Sequence, residues 1–149
     1  MDGDAAGAGR TLGVDFGDRR IGLALSDPLG IAARALKTLR RTTWSRDLAE
    51  FRDLVRVHEV HTIVVGMPLD LDGGRGRRAR ITERFMDRLR GATGLRVVPW
   101  DERLTTVQAE RMLISGDVSR SRRREVVDQV AAVILLQAWL DARRDAAGA

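Results

Sequence analysis

The run TIVVGMPL at residues 62–69 sets the tightest limit on the fold. It is short, continuously apolar and rich in β-branched residues, the pattern of a strand buried on both faces of a sheet. A strand with one wet face would alternate polar and apolar side chains instead. Around this run, strand and helix patterns take turns along the chain. A hairpin is expected at about 11–26, and a shorter third strand near 33–39. Leu48, Phe51, Leu54 and Val55 sit at helical spacing within 44–58. A glycine-rich basic loop, DLDGGRGRR at 70–78, precedes a helix to about 90 with Ile81, Phe85 and Leu89 on one stripe. GLRVVPW is the next strand. A helix then starts at Thr105, where Thr105 and Gln108 form a capping-box pattern. Residues 116–120 break it, and a long helix covers about 121–143. This alternation predicts an α/β domain with a parallel or mixed sheet. In such sheets ligands gather at the carboxyl ends of strands. A length of 149 residues fits one domain, at 10–143, between flexible tails at 1–9 and 144–149.

Within the hairpin, GVDFGDRRIGLALSD places an acid among glycines. Leu12, Val14 and Phe16 alternate onto one face of the first strand, and Gly13, Asp15 and Gly17 onto the other. Gly17-Asp18 supplies turn chemistry. On the return strand Ile21, Leu23 and Leu25 share a face, opposite Gly22, Ala24 and Ser26. Asp15 therefore stands on a surface with almost no side-chain bulk, which leaves room for something to approach its carboxylate.

Two further acidic positions are candidates. Asp101 and Glu102 follow the strand ending at Trp100, at the edge where sites form. Asp128 lies in EVVDQVAAVILLQAWL, a helix apolar nearly all round, whose faces should mostly be buried. On a helical wheel Asp128 neighbours Ala131, Ala132 and Leu135, so small residues again leave space beside a carboxylate. An unpaired buried carboxylate is costly and calls for a partner. Each acid also has a plain structural use. Asp15 can cap turn amides, and Asp101 or Glu102 can favour the positive end of the next helix. Asp128 can pair with Arg122, Arg124 or another arginine. Taken together, three separated elements presenting acids suit hard cations such as Mg²⁺ or Mn²⁺, which take oxygen ligands. Two such ions roughly 3.5–4 Å apart can activate water and stabilise the leaving oxygen in phosphodiester cleavage. Ser26, Asp27 and Asp101 are secondary candidates.

The charge points the same way. The net charge of +5 suggests a polyanionic partner. Lys37 is the only lysine, and the arginine excess fits the codon usage of a GC-rich genome, so clustering matters more than the total. Arg19 and Arg20 occupy the hairpin tip. Arg75, Arg77, Arg78 and Arg80 cluster in the glycine-rich loop and its helix, and Arg120, Arg122, Arg123 and Arg124 precede Asp128. Arginine's planar fork suits phosphate oxygens. Such contacts position a nucleic acid without reading its sequence. With no tyrosine and few other aromatics, base stacking on a single strand has little support.

Other chemistries are excluded or weak. The absence of cysteine rules out disulfides, thiolate catalysis and cysteine zinc sites, and fits a cytoplasmic protein. No apolar run reaches the length of a membrane span, so no membrane partner is expected. His58 and His61 flank a helix-to-strand turn and read as surface or packing residues.

The motifs GVDFGDRRIGLALSD, IVVGMPLDLDG, DERLTTVQAE and VDQVAAVILLQAWLD resemble those of the bacterial YqgF/RuvX family across about residues 11–142. That resemblance implies an RNase H-like fold: a mixed five-stranded sheet with an antiparallel β1–β2–β3 start, then parallel strands, flanked by helices. It maps an acidic site onto Asp15, Glu102 and Asp128, preferring Glu102 over Asp101. It implies a Mg²⁺- or Mn²⁺-dependent nuclease on precursor 16S ribosomal RNA, or on branched DNA as a Holliday-junction resolvase. Arg75 stands where the family often has an acid between glycines, which makes the loop more basic. Two other classes compete. DFGDRRIG also fits the phosphate hairpin of actin-like kinases, which use two such domains and a much longer chain. A non-catalytic nucleic-acid-binding ribosome-assembly module is the third. Monomer and homodimer are both compatible with the sequence.

Overall fold

A computed structural model describes residues 9–69, 74, 76–101 and 120–148, with side chains from residue 128 onward in the last helix. The elements run β1 (Arg10–Phe16), β2 (Arg20–Ser26), β3 (Ala33–Arg40), α1 (Trp44–Val57), β4 (Val60–Met67), α2 (Arg77–Thr93), β5 (Arg96–Asp101) and α3 (Arg120–Gly148). The strands form one sheet in the order β3-β2-β1-β4-β5. β1 pairs antiparallel with β2, and β2 with β3. β1–β4 and β4–β5 are parallel. The fold is RNase H-like, with the expected antiparallel start and parallel finish.

The apolar run of β4 accounts for the layering. Ile63 and Val65 face a core shared with Phe51 and Leu54 of α1 and Phe85 and Leu89 of α2. Val64 faces the other side, where Ala132, Leu135, Leu136, Trp139 and Leu140 of α3 cover the sheet. Ile63, Val64 and Val65 are all fully buried, as a central strand requires. The alternation of the hairpin holds as well. Leu12, Val14, Phe16, Ile21, Leu23 and Leu25 join the α1–α2 core, and Ala24 joins the α3 cluster.

Boundaries shift in two places. Arg77 and Arg78 belong to the first turn of α2, capped by the backbone of Gly76, and not to the loop. α3 continues through Gly148, past the expected end at 143. Its last turns, DARRDAAG, hold three alanines, two arginines and an Asp141–Arg144 pair at spacing i,i+3, and no proline or glycine stops the helix before Gly148. One stripe of α3 is buried, while Val130, Val133, Ile134 and Ala138 are half-buried. The predicted helix at Thr105 and the break at 116–120 lie outside the described residues. No helix among the described residues is long and apolar enough to cross a membrane.

Candidate active site

The bulk-free surface beside Asp15 is filled by α3 itself. Asp15 stands in register opposite Gly22. A Cβ on Gly22 would lie 2.0 Å from the carbonyl oxygen of Asp128 and 2.9 Å from its Cβ. A Cβ on Gly13 would lie 2.8 Å from Cβ of Leu136. The glycines thus let the helix backbone press onto the hairpin, and the residue set down beside Asp15 is Asp128. Two acids 113 positions apart in the chain become neighbours on one face near the carboxyl end of β1. Polar ties fix the helix there. Gln129 donates from Nε2 to Oγ1 of Thr38 at 2.9 Å. Gln137 accepts from the amide of Ala33 at 2.9 Å and donates to the carbonyl of Ile31 at 2.8 Å.

Asp128 has a cationic partner from within the chain. Nε of Arg20 donates to Oδ2 of Asp128 at 2.8 Å, with the two side chains 28% and 17% exposed. Arg20 is therefore engaged at an acid, whereas its place at the hairpin tip suggested a phosphate. Both residues line an open cleft of about 400 Å³ together with Gly17, Asp18, Arg19 and Arg78. The cleft thus joins the hairpin tip, the start of α2 and the Asp128 turn of α3. A second, smaller pocket continues from it along Phe16, Arg78, Ile81 and Thr82.

The start of α2 is electrostatically unusual. Its first turn holds Arg77, Arg78 and Arg80 and no acid, and Gly76 offers no side-chain cap. Cations at this end oppose the helix dipole, at roughly 0.3–1 kcal/mol each when exposed. α1 shows the ordinary arrangement: Thr43 accepts from the amide of Arg46, and Asp47 sits in the first turn. The α2 start is thus less stable alone and more attractive to an anion. Arg78 lines the cleft, while Arg77 is exposed beside it on the same turn.

Arg41 organises the hairpin tip, and the sequence reading missed it. Its Nη1 donates to the carbonyls of Gly17 and Asp18, both at 3.0 Å. Its guanidinium lies 4.3 Å from the ring centroid of Phe16. Phe16 in turn stacks on Phe85 of α2 at 4.0 Å between centroids. One cation thereby ties the end of β3 to the turn that carries Arg19 and Arg20. No local pattern reveals this, because the carbonyls it holds lie more than twenty positions away.

Other candidates fall elsewhere. Ser26 is buried, and its Oγ accepts from the amide of Thr11 at 2.9 Å. That puts it four residues along β1 from Asp15, roughly 13 Å at strand spacing. Asp27 accepts from the amide of Ile31 at 2.7 Å within the β2–β3 turn. Both serve that far end of the hairpin and stand apart from the cleft. Asp101 is exposed and shares the alternation of Val97, which faces the α1–α2 core, whereas Asp15 is on the α3 face. Among the described residues no group of three His, Asp or Glu stands ready to hold a metal. Glu102 and Arg75 lie outside the described residues, as do the side chains of Arg122, Arg123 and Arg124.

Residues 9–142 match the family described as RuvX: Holliday junction resolvase. This chain belongs to the RuvX family. Similar proteins bear the name "Putative pre-16S rRNA nuclease". One from Myxococcus xanthus is 50% identical over 135 residues, which span 91% of this chain and 89% of that protein. One from Symbiobacterium thermophilum is 50% identical over 134 residues, 90% of this chain and 93% of that protein. Among solved structures, T. thermophilus RuvC in complex with Holliday junction substrate superposes with a TM-score of 0.56 at 16% identity, covering 91% of this chain and 95% of that one. The fowlpox virus resolvase, also bound to junction DNA, gives 0.53 at 9% identity, with 90% and 98% covered. At such identities the likeness shows the fold. The family match settles the competition with actin-like kinases left open by the DFGDRRIG hairpin.

Proposed function

We propose that the protein is a divalent-metal-dependent nuclease acting on structured nucleic acid, with precursor 16S ribosomal RNA as substrate and branched DNA as the second reading. The observation that carries the proposal is the seating of Asp128 over Gly22, beside Asp15, at the rim of an arginine-lined cleft. Half-buried acids on adjoining segments offer the oxygen donors that Mg²⁺ or Mn²⁺ takes. Glu102, next in sequence after Asp101, is the acid that the family resemblance adds to the pair. It is the third ligand of this reading. A bound cation would supply Lewis-acid stabilisation of the charge that develops on the phosphodiester. Arg19 and Arg78 would grip backbone phosphates on either side of the cleft and hold the scissile bond toward the acids. The names of the relatives favour ribosomal RNA, and the solved complexes of similar fold favour junctions. The test is cleavage of precursor 16S ribosomal RNA and of a four-way DNA junction by the same preparation, with and without Mn²⁺. Mn²⁺-dependent cleavage of the RNA supports the first reading, and cleavage of the junction alone supports the second. Binding of both without cleavage of either makes the protein a non-catalytic assembly module.

A further inference from the structure

Arg20 and Asp128 have claims on each other that conflict with their roles in the cleft. A guanidinium 2.8 Å from Oδ2 of Asp128 occupies an oxygen that a metal would need. The same guanidinium is withheld from phosphate while that bond lasts. A divalent cation placed on Asp128 would repel Arg20, since two positive centres a few ångströms apart cost energy even in a partly wet site. The pair is only partly buried, so separating it carries no large desolvation cost. Arg20 also has somewhere to go. It lines the cleft shared with Arg19 and Arg78, and its long side chain can turn into that space while its backbone stays in β2.

We infer that Arg20 is a charge-exchange residue, which neutralises Asp128 in the metal-free protein, yields that carboxylate to a divalent cation, and then takes a phosphate of the nucleic acid beside Arg19 and Arg78. The inference rests on the nuclease reading and adds to it a coupling between two ligands. A cation binding at Asp128 releases a phosphate-binding arginine. By linkage, nucleic acid that captures Arg20 must tighten cation binding by the same factor. Arg19 serves as the internal comparison. It lines the same cleft, and among the described residues no carboxylate pairs with it.

The experiment measures binding of a fluorescent four-way DNA junction and a fluorescent RNA hairpin in chelator and in Ca²⁺. Parent, Arg20→Met and Arg19→Met are compared, with Mn²⁺ affinity of each protein alone measured by titration. Ca²⁺ should tighten nucleic-acid binding by the parent about fivefold or more, in the usual range of coupling between sites. Arg20→Met should weaken binding several-fold more in Ca²⁺ than in chelator, where it costs only the repulsion of the unneutralised Asp128, while Mn²⁺ affinity rises. Arg19→Met should weaken binding equally in both conditions. Arg20→Lys keeps the charge and should retain part of the coupling, which covers the case in which the methionine variant folds poorly. An Arg20→Met effect equal in chelator and Ca²⁺ overturns the inference alone. A parent that binds Mn²⁺ but neither nucleic acid overturns the nuclease reading and this inference together.

Discussion

Adding one methyl group at Gly22 should separate the two acids. The new Cβ would stand 2.0 Å from the carbonyl oxygen of Asp128 and 2.3 Å from its carbonyl carbon. Both are helix backbone atoms, so no rotamer change relieves the clash. α3 must retreat by about 1 Å to reach even the shortest contacts that real side chains make. That retreat loosens the packing of Ala132, Leu135 and Leu136 on Ala24 and Val64, and strains the Gln129–Thr38 bond. Overpacking of this kind costs about 1–3 kcal/mol, and an immovable backbone puts Gly22→Ala near the upper end. For a chain of this size that lowers the melting temperature by roughly 6–12 °C. Cleavage should fall further than stability, because displacing a reacting group by about 1 Å can cost on the order of a hundredfold. Gly91→Ala is the matched control. It lies in α2 with nothing within 4 Å of its added Cβ, and should stabilise by about 0.5 kcal/mol. Thermal unfolding in chelator and cleavage rates in Mn²⁺ below the melting range measure both effects. A Gly22→Ala protein with the parent's melting temperature and rate would refute the close approach of α3 and the pairing of acids built on it.

Three further outcomes are expected. Asp15→Asn should abolish Mn²⁺-dependent cleavage and keep nucleic-acid binding, and surviving activity in protein free of contaminating nuclease would remove Asp15 from the site. Arg78→Ala should flatten the dependence of binding on salt by roughly 0.7–0.9 units of log–log slope for one lost phosphate contact. Arg77→Ala, one residue outside the cleft lining, should change the slope less, and equal slopes for parent and Arg78→Ala would take α2 out of the interface. Arg41→Ala should cost about 1.5 kcal/mol in urea unfolding, since the carbonyls of Gly17 and Asp18 lose a charged donor. Arg41→Lys should recover only part of that, because an ammonium can still donate to the carbonyls but lacks the planar guanidinium that lies over Phe16.

Much of the architecture is local and can be read along the chain. The double burial of Ile63, Val64 and Val65 follows from an unbroken apolar run. The two faces of the hairpin follow from its period of two, and the buried stripe of α2 from a period near four. Gly13, Asp15 and Gly22 stand out as an acid on a face without bulk, and Asp128 as an acid in an apolar helix. Family motifs joined these into one expected site. Edges of elements are less legible, because Arg144, Ala146 and Ala147 carry the helix on to Gly148 and the first turn of α2 looks like basic loop.

What fills the space beside Asp15, and which arginine holds Asp128, came only with the assembled fold. Sequence marks an empty surface but not its occupant, which depends on the position and rotation of a helix more than a hundred residues later. By sequence Asp128 can pair with Arg122, Arg124 or another arginine, and in the fold Arg20, 108 positions away, donates to it. Arg41 escaped notice for the same reason. Periodicity reports which way a side chain points relative to its own element, because it arises from the geometry of one strand or one helix. Ion pairs and close backbone approaches arise between elements, and their partners are fixed only when sheet register and helix docking bring distant segments together.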